Sequence, residues 1–163
     1  MRLKNRLIRA AMAGVLSTSA LLARQPRLAP LCDAAMRALA RLTVRNKGIR
    51  PATDLADLGR QWQRGFPSAK QVPITRITDD TVYAEIHTPC PLRGSGDTAA
   101  CWRMMAYDRE VLAHADGQFV VLHSQAEAGR HHCEVAMRRS GVSLADLPPA
   151  HIRAPRAAGN GHA

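Results

Sequence analysis

The residues of this chain best suited to chemistry are three cysteines, Cys90, Cys101 and Cys133, the last preceded by His131 and His132. Ten residues separate the first two and thirty-one the last two. A thiol cluster beside imidazoles and a carboxylate can bind a metal, act as a nucleophile or fill a core. The metal reading joins Cys90, Cys101 and Cys133 to His132 or His131 as a Cys3His set suited to zinc, although the chain has no CxxC knuckle. The nucleophile reading needs a lowered thiol pKa, which Cys101 would draw from the start of a helix or from a neighbouring histidine. The core reading treats Cys101 and Cys133 as small buried hydrophobes. Residue types and spacing leave all three open.

The elements that must position these residues follow from periodicity. A period of two over 72–77 and 82–87, joined by a turn at Asp79-Asp80, predicts a β-hairpin; Val82, Ala84 and Ile86 share one face, and Tyr83, Glu85 and His87 the other. Prolines 89 and 91 break the second strand around Cys90, and a loop through Gly94 and Gly96 leads to a helix over 98–113. On that helix Cys101, Met105, Asp108 and Leu112 fall on one stripe, which faces inward because of its Met and Leu. A carboxylate there requires a partner: Arg103, Arg109, a histidine or a ligand. Strands over 119–124 and 132–137 complete the pattern, and Cys133 shares the inward face with Val135 and Met137. The predicted architecture is α+β: an antiparallel four-stranded sheet, strand-strand-helix-strand-strand, with a helical N-terminal extension. His87 and His123 end strands and are candidate ligand-binding residues at a pocket rim, while His114, His151 and His162 carry no comparable signal.

Charge divides the chain. Of the net +10, all sits in residues 1–53, which hold eleven Lys and Arg against Asp33 alone; residues 54–163 balance at twelve and twelve. The division expected is a basic helical arm over 1–52, an α+β domain over 53–140 and an extended or flexible tail over 141–163. A basic arm is drawn to an anionic membrane surface or an acidic partner in a larger complex. Nucleic acid is disfavoured, because aromatic residues make up 4% of the chain and no recognition motif is present. Within the arm, the fourteen uncharged residues from Ala10 to Ala23 are too few for a spanning helix. They suit a signal-peptide core, an organelle presequence or a docked alanine-rich helix. A second helix over 30–47 carries Leu31, Ala35, Leu39 and Leu42 at helical spacing and a basic stripe of Arg37, Arg41 and Arg45; Gly48 stops it. The stripe reads as a solvated face or as a phosphate or lipid contact. A third helix runs from an N-cap at Thr53 to about Gln63, with Leu55, Leu58 and Trp62 on its apolar side. The cysteine spacing, without a convincing leader, fits reduced thiols in a cytoplasmic setting with a peripheral membrane association open to the arm.

The segments His87-Thr-Pro-Cys-Pro-Leu92, Ala100-Cys-Trp-Arg-Met-Met-Ala-Tyr-Asp108 and Gly129-Arg-His-His-Cys-Glu-Val135 resemble the C-terminal half of the L-2-amino-thiazoline-4-carboxylic acid hydrolase-like family. The last of them is also similar to the small-molecule-binding domain of bacteriochlorophyll 4-vinyl reductase relatives. The resemblance covers roughly residues 55–138. It implies a ring-opening hydrolase acting on a cyclic C=N bond next to sulfur, or a domain binding a small hydrophobic ligand. The matching positions are Cys90, Cys101, Asp108 and Cys133. By this resemblance Cys101 or Cys133 is the nucleophile and Asp108 orients a water or a histidine, with Cys90 lining the pocket. The basic arm has no counterpart in that pattern, which opens a rival reading as an accessory subunit docked through residues 1–50.

Overall fold

The alternation in the hairpin and in the two C-terminal strands produces one sheet. In a computed structural model that describes residues 14–15 and 17–153, β1 (Ile74–Ile77), β2 (Val82–Ile86), β3 (Gly117–His123) and β4 (Cys133–Arg139) lie in the order β1-β2-β4-β3. Every neighbouring pair is antiparallel. The leader-type readings of the first residues rest mainly on 1–13, and His162 on 154–163; both stretches lie outside the described residues.

Among the described residues, α1 (Ala29–Lys47), α2 (Leu55–Arg64), α3 (Thr98–Met104) and α4 (Ala106–His114) form two tiers: α2 and α4 lie against the sheet, and α1 packs on α3 and α4. Val82, Ala84, Ile86, Phe119, Val121, Cys133, Val135 and Met137 point inward and pack with Leu58 and Trp62 of α2 and Val111 and Leu112 of α4. The expected single helix over 98–113 is broken at Met105, whose backbone (φ −72°, ψ 7°) leaves the α region. The carbonyl of Trp102 freed by the break accepts from the Arg109 side chain at 2.7 Å, and the chain turns straight into α4. The cap of α2 is Asp54, one residue beyond the expected Thr53. Its side chain accepts from the Asp57 amide at 2.7 Å.

Helix α1 ends as expected at Gly48, which takes the left-handed conformation (φ 60°). Its docking face is not the leucine stripe. Cys32, Met36, Ala40 and Val44 are buried, whereas Leu31, Leu39 and Leu42 are 61%, 37% and 55% exposed. Two arginines choose this face. Arg37 Nη1 and Arg41 Nε donate to the Glu110 carboxylate of α4, each at 2.8 Å, and Arg37 Nε donates to Asp33 at 2.7 Å. Part of the basic stripe therefore anchors the helix to the body while staying open to solvent on its outer side. Small side chains at Ala40 and Cys32 let the two helices approach closely.

The first stretch after the last strand is held against the sheet. Arg138 of β4 is buried, and its guanidinium donates to Asp146 Oδ1 and Oδ2 at 2.6 and 2.7 Å, with the Ser143 carbonyl as a further acceptor. The Ala150 amide bonds the Val121 carbonyl at 2.8 Å, and Leu147 packs on Val120 and Ala136. Residues 141–153 thus cover part of the outer face, rather than trailing free.

Candidate functional site

Asp108 enters the core because α4, which packs against β3, places it one turn before Leu112 on its buried side. It is 5% exposed, and its Oδ1 accepts one hydrogen bond, from the Trp62 indole at 2.9 Å. The partner required of a buried carboxylate is thus an indole, rather than Arg103, Arg109 or a histidine. Burial outweighs the indole bond and the nearby Arg109 charge, and pushes the Asp108 pKa from 3.8 to about 6.

Cys101 and Cys133 meet beside it, 2% and 1% exposed. Interaction with the Cys133 thiol, together with burial, raises the Cys101 pKa well above the ordinary value. The helix-start effect expected to make Cys101 a thiolate is overridden. The same interaction lowers the Cys133 pKa, aided by the Gln125 amide, which lies 3.3 Å from the sulfur. Cys90 stands at the margin, half-buried, with its pKa raised by burial.

Gln125 organises this margin, and the sequence carries no periodic signal for it. It is fully buried. Its Nε2 donates to the carbonyls of Ile86 and Thr88 at 3.1 and 3.0 Å, and its Oε1 accepts from the Cys90 amide at 3.3 Å and from Arg93 Nη2 at 2.6 Å. One side chain therefore fastens the Cys90 loop over the thiols. The pocket expected between helix and sheet is closed: Trp62, Tyr107, Met105 and Leu112 fill the space around Asp108 and Cys133. Shallow surface depressions lie elsewhere, one on the outer face beside Tyr83, Glu85 and Glu134 and one beside Arg60 and Phe66.

The expected zinc set of Cys90, Cys101, His132 and Cys133 does not assemble. Successive strand residues point to opposite faces, so Cys133 turns into the core while His132 turns outward. His132 meets Glu85 and His87 there instead, and these three form the one group of His, Cys, Asp or Glu donors, among the described residues, whose ligand atoms all lie within 4.8 Å of one another. His87 Nε2 is 2.7 Å and His132 Nε2 3.7 Å from the Glu85 carboxylate. The strand alternation had already put Glu85 and His87 on one face, but not the partner strand's register. His131 is exposed and its carbonyl accepts from Arg93 at 3.0 Å.

His123 joins neither group. Its Nδ1 lies 2.9 Å from Arg130 Nη2 and 3.1 Å from Arg153 Nη2. Burial, with those two guanidinium charges, lowers its pKa. The residues expected at a common rim, His87 and His123, are thus engaged in separate contacts.

Among the described residues, most of the exposed large apolar side chains lie in the N-terminal region. Val15, Leu21, Leu31 and Leu42 are each 47% exposed or more, all in the N-terminal helical region, and Leu28 and Leu39 are more than a third exposed. Arg24, Arg27, Arg45 and Lys47 are exposed around them. No helix among the described residues is long and apolar enough to cross a membrane. No protein-family model, curated protein or solved structure matches this chain.

Proposed function

We propose that this protein is an accessory domain that docks on an anionic membrane surface through the outward face of α1 and the helical residues before it. The observation that carries this reading is the exposed stripe of Leu31, Leu39 and Leu42, which leaves the body's core filled and faces outward amid exposed arginines and lysine. Exposed leucines at i, i+8 and i+11 lie along one side of a helix. Flanked by cations, such a side suits the headgroup boundary, where apolar burial and attraction to anionic lipid act together. The uneven charge of the chain, with all +10 in residues 1–53, points the same way. The test is sedimentation of the full chain with phosphatidylglycerol-containing vesicles against pure phosphatidylcholine vesicles. Binding only to the anionic vesicles, weakened by salt, is the expected result. Failure to bind either, together with capture of the same face by a protein, overturns the lipid version.

A second reading is favoured by one specific observation: two thiols and a carboxyl with shifted pKa values meet in one place, and such shifts cluster at functional sites. In that reading Cys133 is the nucleophile and Asp108 the proton-handling group of a hydrolase-like centre, as the family resemblance implies, with the Cys90 loop as its cover. It requires the loop to lift. Hydrolysis of a 2-amino-thiazoline carboxylate by the native protein and its loss in Cys133→Ala would support it, and an inert native protein would overturn it.

A further inference from the structure

We propose that Glu85, His87 and His132 form a binding site for one divalent transition-metal ion of the zinc class on the outer face of the sheet. The site follows from strand register. Val82 pairs with Met137 and Ile86 with Cys133. One step further, His87 comes opposite His132. In an antiparallel pair such opposed residues share a face with Cβ atoms about 4.5–5.5 Å apart. Glu85 lies two residues before His87 and so shares that face. The imidazoles stack at 5.1 Å with 25° between the rings. Both Nε2 atoms approach the two oxygens of one carboxylate, at 2.7 and 3.7 Å.

Zinc bonds of about 2.0–2.2 Å place tetrahedral donors about 3.3 Å apart. The three donor atoms, mutually within 4.8 Å, close to that spacing by side-chain rotation alone. Two imidazoles and a carboxylate suit zinc, cobalt, nickel or copper, whereas magnesium and calcium take oxygen shells. The neighbouring carboxylate on β4, Glu134, is held by Arg130 at 2.5 Å, which leaves Glu85 as the group that faces the histidines. All three side chains are partly exposed, so an ion can enter from solvent and keep an open coordination position there. The site is separate from the docking face and from the buried thiols.

Zinc chloride titrated into the full chain, with metal counted by mass spectrometry after dialysis, tests the site. One equivalent is expected. His87→Ala and His132→Ala should each weaken binding by at least about tenfold, and Glu85→Gln by a similar factor. Because these side chains are exposed, circular dichroism of the three variants should match the parent. Cobalt loaded in place of zinc should show no thiolate-to-metal charge-transfer absorption. Unchanged affinity in both histidine variants, or a thiolate band lost in Cys133→Ala, would place the metal on the cysteines and overturn the proposal.

Discussion

The buried centre and the outward face of α1 are inverted relative to what their residue types lead one to expect. Cys101, Cys133 and Asp108 have the reactivity, yet they are shut inside the core. Leu31, Leu39 and Leu42 have none, yet they are presented to solvent. Reactivity needs access, and adhesion needs only exposed apolar area. What distinguishes the two regions is therefore availability rather than chemistry, and by that measure the leucine face is the more accessible of the two.

The closed centre is broken most severely at Trp62. Trp62→Ala would open a cavity between Phe66 and Phe119 and strip Asp108 of its one donor; the expected loss is about 3–5 kcal/mol by urea denaturation, enough to unfold a marginal domain. If the variant stays folded with reactive thiols, the centre is less tightly closed than described.

Asp108 sharpens the same side of the comparison through pH. Its folded pKa of about 6 lies above the ordinary 3.8. Between those values the folded chain keeps a proton that the unfolded chain has lost. Stability therefore falls as pH rises from about 4 to about 6 and levels off above, by about 3 kcal/mol in total. In Asp108→Asn this component should vanish, leaving denaturant midpoints flatter over that window. An unchanged slope would mean that Asp108 is not the buried group that titrates there.

A smaller effect comes from the contact that decides which face of α1 looks out. Glu110 is buried; burial alone would raise its pKa, but Arg41 and Arg37 outweigh it and hold it low. Glu110→Gln weakens both charged hydrogen bonds and should cost about 1–2 kcal/mol, with faster amide exchange along α1. Smallest of all is the stability effect at the leucine face. Leu31→Ser and Leu42→Ser should each shift stability by no more than about 0.5 kcal/mol in thermal or chemical unfolding, because each residue is more than half exposed, whereas Leu39→Ser, at 37% exposure, should cost somewhat more.

The sheet was legible in the sequence because alternation at Val82, Ala84 and Ile86 fixes a face without reference to anything distant. Helix α1 was legible as a helix but not as an oriented one. It carries two apolar stripes, Leu31-Ala35-Leu39-Leu42 and Cys32-Met36-Ala40-Val44, and periodicity cannot rank them. The choice is made by Glu110, 73 residues from Arg37 in the chain, and no local pattern reports so distant a carboxylate. The break at Met105 escaped for a related reason: it depends on Arg109 reaching back to the Trp102 carbonyl. Cys101, Cys133 and Asp108 were legible as inward-facing because an apolar stripe of a helix and the apolar face of a strand must turn to the core. His132 was misassigned to them because its neighbour Cys133 faces the other way, a parity that depends on where the strand begins. Gln125 lies between a strand and a turn, where periodicity has nothing to say.

The most direct measurement is the partition of the full chain onto phosphatidylglycerol vesicles, compared with the Leu31→Ser/Leu39→Ser/Leu42→Ser variant at low and high salt. The parent should bind, release as salt rises, and lose roughly tenfold or more of its affinity in the variant while its fold is unchanged. Equal binding by parent and variant, or no binding by the parent, would contradict the assignment of the leucine face as the docking surface.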